Sequence, residues 1–262
     1  IIMYSLEHKK YLKKNKRKKR FITFFKILII VLFLGLWEAC ARLEIINPFL
    51  TSYPTQVFKT TIELFKTQDL LSHIWVTLYE TIISFSLASL IGIIVASILW
   101  SNKFIAKVLD PYLTVLNSLP KISLGPLIII WIGANTNSII FMALLIAVFT
   151  TIISMYNAFI TTDNSKITLM KSFGANKMQI FTKLILRGNT KSLVNTLKIN
   201  ISLSLIGVIM GELLVSKKGL GYLITYGSQV FNLNLVITSI FILGILSYLL
   251  YIFIDLLQKK AK

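Results

Sequence analysis

Six long apolar stretches constrain the fold of this chain more than any other feature of its sequence. Each is close to the length of about 20 residues at which an α-helix crosses the hydrocarbon core of a bilayer. They lie at residues 21–41, 74–100, 108–132, 138–160, 192–215 and 233–257. Because lipid satisfies no backbone polar groups, such stretches are expected to be helical. The sequence therefore predicts an all-α integral membrane protein with about six transmembrane helices.

The composition agrees with a lipid environment. Apolar residues make up 55% of the chain, charged residues only 15%, and the mean hydropathy is +0.77, a balance that a water-exposed globule of this size rarely has. The net charge of +18 would suggest nucleic acid in a soluble protein, but the basic residues fall between the apolar stretches rather than on one patch. We therefore expect the lipid bilayer, and no nucleic acid, as a partner.

The basic residues also predict an orientation. Nine Lys or Arg occupy positions 9–20, and seven more lie within 166–198. Cytoplasmic loops carry an excess of these residues, so both termini are predicted to be cytoplasmic. The stretch 21–41 follows a basic run, as in a signal peptide, but it is long enough to span and no clear cleavage site follows. We interpret it as a retained helix and divide the chain into a basic tail, 1–20, and a transmembrane domain, 21–262.

The third apolar stretch is broken by prolines. Pro111, Pro120 and Pro126 interrupt it, and prolines at membrane depth persist where neighbouring protein or water satisfies the freed carbonyls. Interrupted helices expose backbone polar groups that can contact a solute. Pro120, Pro126 and Trp131 are therefore candidates for a translocation pathway, and a buried structural kink is the alternative.

The fifth apolar stretch carries small residues and one acid. Gly207 and Gly211 are four residues apart and allow close helix approach, either at a pathway wall or in simple packing. Glu212 follows them, and ionisable groups in membranes usually face a cavity or a partner. We therefore include all three among the pathway candidates. For Glu212 the alternative is an interfacial carboxylate paired with Lys217 or Lys218.

The loop 161–191 is amphipathic on both sides of Gly174. Apolar residues recur there at helical intervals, which predicts two short helices that meet at the glycine. Such an element can fill a groove on a partner protein, and an amphipathic loop resting on lipid is the alternative. The residues expected to make the partner contact are Leu169, Phe173, Gly174, Ala175, Ile180 and Phe181. A further segment, 47–68, is too polar to span and is either an interfacial helix or a plain loop.

The sequence offers no catalytic or metal-binding set. Cys40 is the only cysteine, and the two histidines, His8 and His73, have no metal-ligand spacing. No GxxxxGK[ST] motif is present to bind nucleotide phosphates. We therefore expect no enzyme activity, metal or cofactor in this chain, and a separate polypeptide as the source of any energy.

The loop around Gly174 resembles the coupling helix of ABC importer permeases, with the motif Glu-Ala-Ala, three residues, Gly, nine residues, Ile-x-Leu-Pro. Aligned on the glycine, the apolar pair falls on Leu184 and Leu186, while Arg187 replaces the proline. The Glu-Ala-Ala positions become Thr168, Leu169 and Met170. Further segments resemble the nitrate, sulfonate and taurine branch in identity, order and spacing: Trp37-Glu38, residues 52–57, Thr77-Leu78, Ser118-Leu119-Pro120, Gly125-Pro126-Leu127, Trp131-Ile132-Gly133, Gly211-Glu212 and residues 219–224.

This resemblance implies a type I ABC importer-like permease in a bacterial cytoplasmic membrane. It implies ATPase subunits at the loop around Gly174, a second permease copy in a homodimer, and an outer substrate-binding protein near 47–68 and 216–232. The solutes would be nitrate, sulfonates, taurine or vitamin precursors. The rival hypothesis is a self-sufficient secondary transporter or channel, which needs charged groups inside the membrane. We interpret all ten acidic residues as lying near helix ends, in loops or in the tail, which disfavours that rival.

Overall fold

The computed structural model describes residues 6–67 and 69–260, and the side chains of 11–67 and 69–256. Positions 1–5, 261 and 262, which belong to the predicted tail and last segment, and Gln68 of the predicted outer segment lie outside the described residues. Across the described ranges the chain is helical, without strands. The helices are α1 (Leu6–Arg42), α2 (Pro48–Thr51), α3 (Pro54–Thr67), α4 (Leu70–Ser101), α5 (Lys103–Ser118), α6 (Gly125–Ile132), α7 (Thr136–Ile160), α8 (Asn164–Ser172), α9 (Lys177–Ile180), α10 (Thr190–Val215), α11 (Leu220–Gln229) and α12 (Leu233–Lys260), with a 3₁₀ turn at Lys121–Leu124 and a π-helical turn at Phe181–Leu186.

Five of the described helices are long and apolar enough to cross a membrane: α1, α4, α7, α10 and α12. α5 and the segment Lys121–Ile132 together meet the same criterion as one broken span, with a bend of 83° between them. The prediction of about six transmembrane helices with a broken third one is therefore confirmed.

Proline and glycine explain the break in this third span. Leu119 is extended, as residues before proline tend to be, and α5 ends before Pro120. Pro126 lies in the first turn of α6, where its missing N–H breaks no helical hydrogen bond. Gly133 ends α6 with φ of +95°, a conformation that glycine adopts without strain.

The centre of the bundle is formed by α4, α7 and α10. Small buried side chains, such as Ala88, Ala96, Ala143 and Ala147, allow these helices to approach closely. α12 packs on α11 through leucines such as Leu243 of α12 and Leu223 of α11, which share one apolar cluster. By contrast, the apolar window of α1 has no buried residue, so lipid or another subunit must cover it.

Two peripheral segments are more helical than the sequence suggested. α1 runs without a break across the boundary that we predicted between the basic tail and the first span. The segment 47–68 contains α2 and α3, and Val57 and Leu64 of α3 are buried. Of its two interpretations, the plain loop is therefore wrong, and α3 is a helix that packs on the bundle.

Candidate functional site

The segment between α7 and α10, residues 161–189, folds as the sequence predicted. The Asp163 side chain accepts the N–H of Ser165 at 2.9 Å and so caps α8. Asn176 and Gln179 form a reciprocal capping box that starts α9. Between the two helices Gly174 has φ of +76°. The predicted pair of short helices that meet at this glycine is therefore confirmed.

The apex of the α7–α10 segment is an exposed apolar surface. Phe173 is 80% exposed, Leu169 56% and Met178 69%. A Cβ added at Gly174 would meet nothing within 4 Å. Exposed apolar side chains that are grouped in this way are typical of a surface that contacts a partner protein or a membrane.

The other predicted contact residues point into the protein. Ile180 is buried, and the Phe181 ring packs edge-on against Phe159 of α7, with centroids 5.5 Å apart, and against Trp100 of α4 at 5.2 Å. Ala175 lies partly buried beside the same cluster. The six predicted residues therefore form two sets: Leu169, Phe173 and Gly174 are open, whereas Ala175, Ile180 and Phe181 anchor the segment to α4 and α7.

A basic cleft of about 990 Å³ separates the α7–α10 segment from the ends of α4 and α7. Its lining includes the four lysines Lys103, Lys107, Lys171 and Lys177. Lys177 donates a hydrogen bond to the carbonyl oxygen of Ser101, the last residue of α4. The remaining positive charge favours a partner with acidic groups around the apolar apex.

The proposed pathway residues occupy different surroundings. Pro120, Pro126 and Trp131 are exposed at the bend of the third span, and Trp131 is 69% exposed. Gly207 and Gly211 instead face α7: a Cβ at 207 would lie 2.4 Å from the Ala143 Cα, and one at 211 would lie 2.9 Å from a methyl carbon of Ile139. These two glycines are therefore explained by packing inside the chain, while the pathway role of the set remains a prediction.

Glu212 is buried and holds a polar network at the other end of α4 from the α7–α10 segment. Its carboxylate accepts the Thr77 hydroxyl at 2.7 Å and the Gly221 N–H at 2.6 Å. The Gly219 N–H donates to His73 Nδ1 at 3.0 Å. These bonds, which we call the Glu212 network, join α4, α10 and the start of α11. In the described residues Glu212 pairs with neither lysine of the adjacent loop.

Sequence reasoning missed Glu80. This residue lies inside α4 and is fully buried, so the interpretation that every acidic residue lies near a helix end, in a loop or in the tail is wrong here. Its position within the second apolar stretch, three residues after Thr77, was the available signal. In the part of the chain that the structure describes, no three His, Cys, Asp or Glu side chains are grouped as metal ligands.

The chain is similar to several transport permeases. The chain is 29% identical to a probable ABC transporter permease protein of Haemophilus influenzae, over 89% of this chain and 95% of that protein. It is 28% identical to the formylaminopyrimidine transport permease protein ThiX of Halalkalibacterium halodurans, over 86% and 88% of the two chains. It is 23% identical to a putative aliphatic sulfonates transport permease protein of Bacillus subtilis, over 95% and 90%.

The fold is that of a solved transporter. A chain of the methionine ABC transporter MetNI in an inward-facing conformation superposes with a TM-score of 0.66 and 22% identity, covering 74% of this chain and 96% of that one. Residues 88–262 match the family model for the binding-protein-dependent transport system inner membrane component. These residues include α7, the whole α7–α10 segment and the Glu212 side of the network. The chain therefore belongs to the family of inner membrane components of binding-protein-dependent transport systems.

Proposed function

We propose that the exposed apex of the α7–α10 segment docks a separate ATPase subunit, which powers import of a small solute through this permease. The observation that supports this most is the contrast between two aromatic residues of one segment. Phe173 is 80% exposed at the apex, while Phe181 is packed between α4 and α7. One ring is available to a partner, and the other connects the segment to the bundle.

Helix-in-groove docking explains how force reaches the membrane. An apolar helix end fits a groove on a partner, with Phe173 and Leu169 as anchors. Movement of the groove would displace α8 and α9 together, since Gly174 joins them by a short turn. The packing of Phe181 on Trp100 and Phe159 then passes that displacement to the ends of α4 and α7. ATP hydrolysis belongs to the partner, because the sequence has no phosphate-binding loop.

Charge supports an orientation with this segment in the cytoplasm. Seven basic residues lie within 166–198 and nine within 9–20, and by the positive-inside rule this distribution favours a cytoplasmic location for both regions and both termini. α2, α3 and α11 would then face outward, where a substrate-binding protein delivers the solute. The location we propose is a bacterial cytoplasmic membrane, in agreement with the family of inner membrane components.

A second copy of the permease would complete the pathway. The bent third span exposes Pro120, Pro126 and Trp131 on the surface of a single chain, and irregular backbone at membrane depth needs protein or a water-filled cavity beside it. A two-fold homodimer would supply both. The solute we propose is a small heterocyclic vitamin precursor or a sulfonate-like anion, since permeases for a formylaminopyrimidine and for aliphatic sulfonates are relatives.

Co-purification tests the docking site. The tagged chain is extracted gently from native membranes, and the bound proteins are identified by mass spectrometry. Gly174→Asp places a charge in the apolar apex, while Gly174→Asn is the neutral control of equal size, and both side chains tolerate the left-handed backbone of this position. Gly188→Asp is a second control, at an exposed glycine of the same segment with open space around it.

The expected result is an ATPase bound to the wild type, to Gly174→Asn and to Gly188→Asp, and lost from Gly174→Asp. Equal binding by all four proteins would reject the apex as the docking site. A purified chain that moves solute across vesicles without ATP would instead support a self-sufficient secondary transporter.

A further inference from the structure

Two buried acidic side chains face each other in the membrane bundle. Glu80 of α4 is 0% exposed, and Glu212 of α10 is 1% exposed. Thr77, whose hydroxyl donates to Glu212, lies one helical turn before Glu80 on the same side of α4, so the two carboxyl groups face the same buried site. Two negative charges that share one dry site repel each other, and each also loses its hydration. The arrangement therefore needs a compensating ligand.

Glu212 has the hydrogen-bond partners of a carboxylate. The Thr77 hydroxyl donates to its Oε1 at 2.7 Å, and the Gly221 N–H donates to its Oε2 at 2.6 Å. The Tyr222 N–H also favours the negative charge of this carboxylate. Both backbone donors belong to the first turn of α11, where unsatisfied N–H groups and the helix dipole favour an anion. Glu212 is thus held as the ionised member.

Glu80 has no such partners. Within the described part of the chain, neither of its carboxyl oxygens has a hydrogen-bond partner. The nearby hydroxyl of Ser84 donates to the Glu80 main-chain carbonyl instead. The ion pairs of the described residues are Arg42 with Glu38 and Lys198 with Asp255, so Glu80 forms no ion pair with a described basic side chain.

We propose that Glu80 is a proton-binding site, which in its neutral acid form donates a hydrogen bond to the Glu212 carboxylate. Two carboxylates only accept hydrogen bonds, so they cannot bond to each other. A proton on Glu80 creates the missing donor and removes the second charge in one step. Thr136, at the start of α7, also faces Glu80. The N-terminal end of α7 favours a negative charge on Glu80, but this effect is smaller than the cost of a second buried anion beside Glu212.

The other titratable groups lie on the Gly219 side of the network. His73 of α4 accepts the Gly219 N–H and stacks on Tyr222 of α11, with ring centroids 5.9 Å apart. The charges of Asp69 and Lys218 have opposite effects on His73: Asp69 favours its protonated form, and Lys218 disfavours it. A proton on Glu80 therefore adds a hydrogen bond between α4 and α10, and this bond is lost when the pH rises enough to ionise Glu80.

Infrared spectroscopy of the full chain in lipid vesicles tests this directly. A neutral carboxyl group has a carbonyl stretching band that shifts in D₂O, while exposed carboxyl groups are ionised at neutral pH and lack it. The wild type is expected to show this band at neutral pH, and Glu80→Gln is expected to lose it. Absence of the band from the wild type overturns the proposal, and so does its persistence in Glu80→Gln. If the variant does not fold, the presence or absence of the band in the wild type still tests whether a neutral carboxyl group exists at neutral pH.

Thermal unfolding of matched variants supplies the second test. The amide introduced by Glu80→Gln can donate to Glu212 as the neutral acid does, so the unfolding midpoint should stay near that of the wild type and become less sensitive to alkaline pH. Glu212→Gln turns an amide donor toward the donors of Thr77 or Gly221 and should lower the midpoint. Equal losses from both variants contradict the assignment. A wild-type midpoint that rises with Na⁺ at constant ionic strength, but not in Glu80→Gln, would show a bound cation in place of the proton.

Discussion

A Cβ added at Gly219 would lie 2.3 Å from the carboxyl carbon of Glu212, closer than any real side-chain contact. The backbone at 219 also has φ of +116°, which L residues with a side chain rarely adopt. The first turn of α11 can therefore reach the Glu212 carboxylate because residue 219 is glycine. This close approach is what lets the Gly221 N–H donate to that carboxylate.

Gly219→Ala should destabilise the protein through this contact. We expect a loss of about 1–3 kcal/mol in the free energy of unfolding from backbone strain alone, with a further loss from the displaced carboxylate. The check is the apparent unfolding midpoint in detergent at a fixed heating rate. Gly244→Ala is the matched control, since a Cβ there meets nothing within 4 Å, and its midpoint should not fall. Similar midpoints for both variants would contradict the structural explanation.

The sequence predicted the spans and Gly174 because these features are local. A stretch of about 20 apolar residues needs no partner to be recognised, and a glycine between two amphipathic runs marks a turn wherever the runs pack. Whether Glu80 and Glu212 face the same buried site depends instead on how α4 and α10 are rotated toward each other. Nothing in either helix alone sets that rotation, so the pair was not predictable. For the same reason the sequence could not separate exposed Phe173 from packed Phe181.

Gly207→Ala tests the packing of α10 on α7. The added Cβ would lie 2.4 Å from the Cα of Ala143, so the two backbones must move apart. Overpacking of this kind costs about 1–3 kcal/mol, which should appear as a lower unfolding midpoint. Because the clash is with main-chain atoms, adding Ala143→Gly should restore little of the loss. Full recovery in the double variant would show that the helices are farther apart than described.

Phe173→Ala and Phe181→Ala should have different effects on an importer assembled as we propose. Loss of the exposed Phe173 ring removes about 1.5–3 kcal/mol of apolar burial in the docked state, or roughly 10- to 150-fold in ATPase affinity. Phe181→Ala keeps the apex but loosens its packing on Trp100 and Phe159, so the ATPase should stay bound while less solute moves per ATP hydrolysed. Affinity by co-purification and coupling in proteoliposomes are the two measurements. Loss of ATPase binding in Phe181→Ala alone would reverse the roles assigned to the two rings.

Lys198 of α10 and Asp255 of α12 form an ion pair with side-chain exposures of 14% and 29%, and the lysine ammonium lies over the Tyr251 ring at 5.3 Å. Neutralising one partner leaves the other charge poorly hydrated, which costs about 3–5 kcal/mol when a pair is fully buried and less for this partly exposed one. Lys198→Met and Asp255→Asn should therefore each lower the unfolding midpoint more than the double variant does. The comparison is a double-mutant cycle, in which coupled residues give non-additive effects. Purely additive losses would mean that the pair does not hold α10 to α12. In that case the contact of α12 with α11 through Leu223 and Leu243 would hold α12 in place without the ion pair.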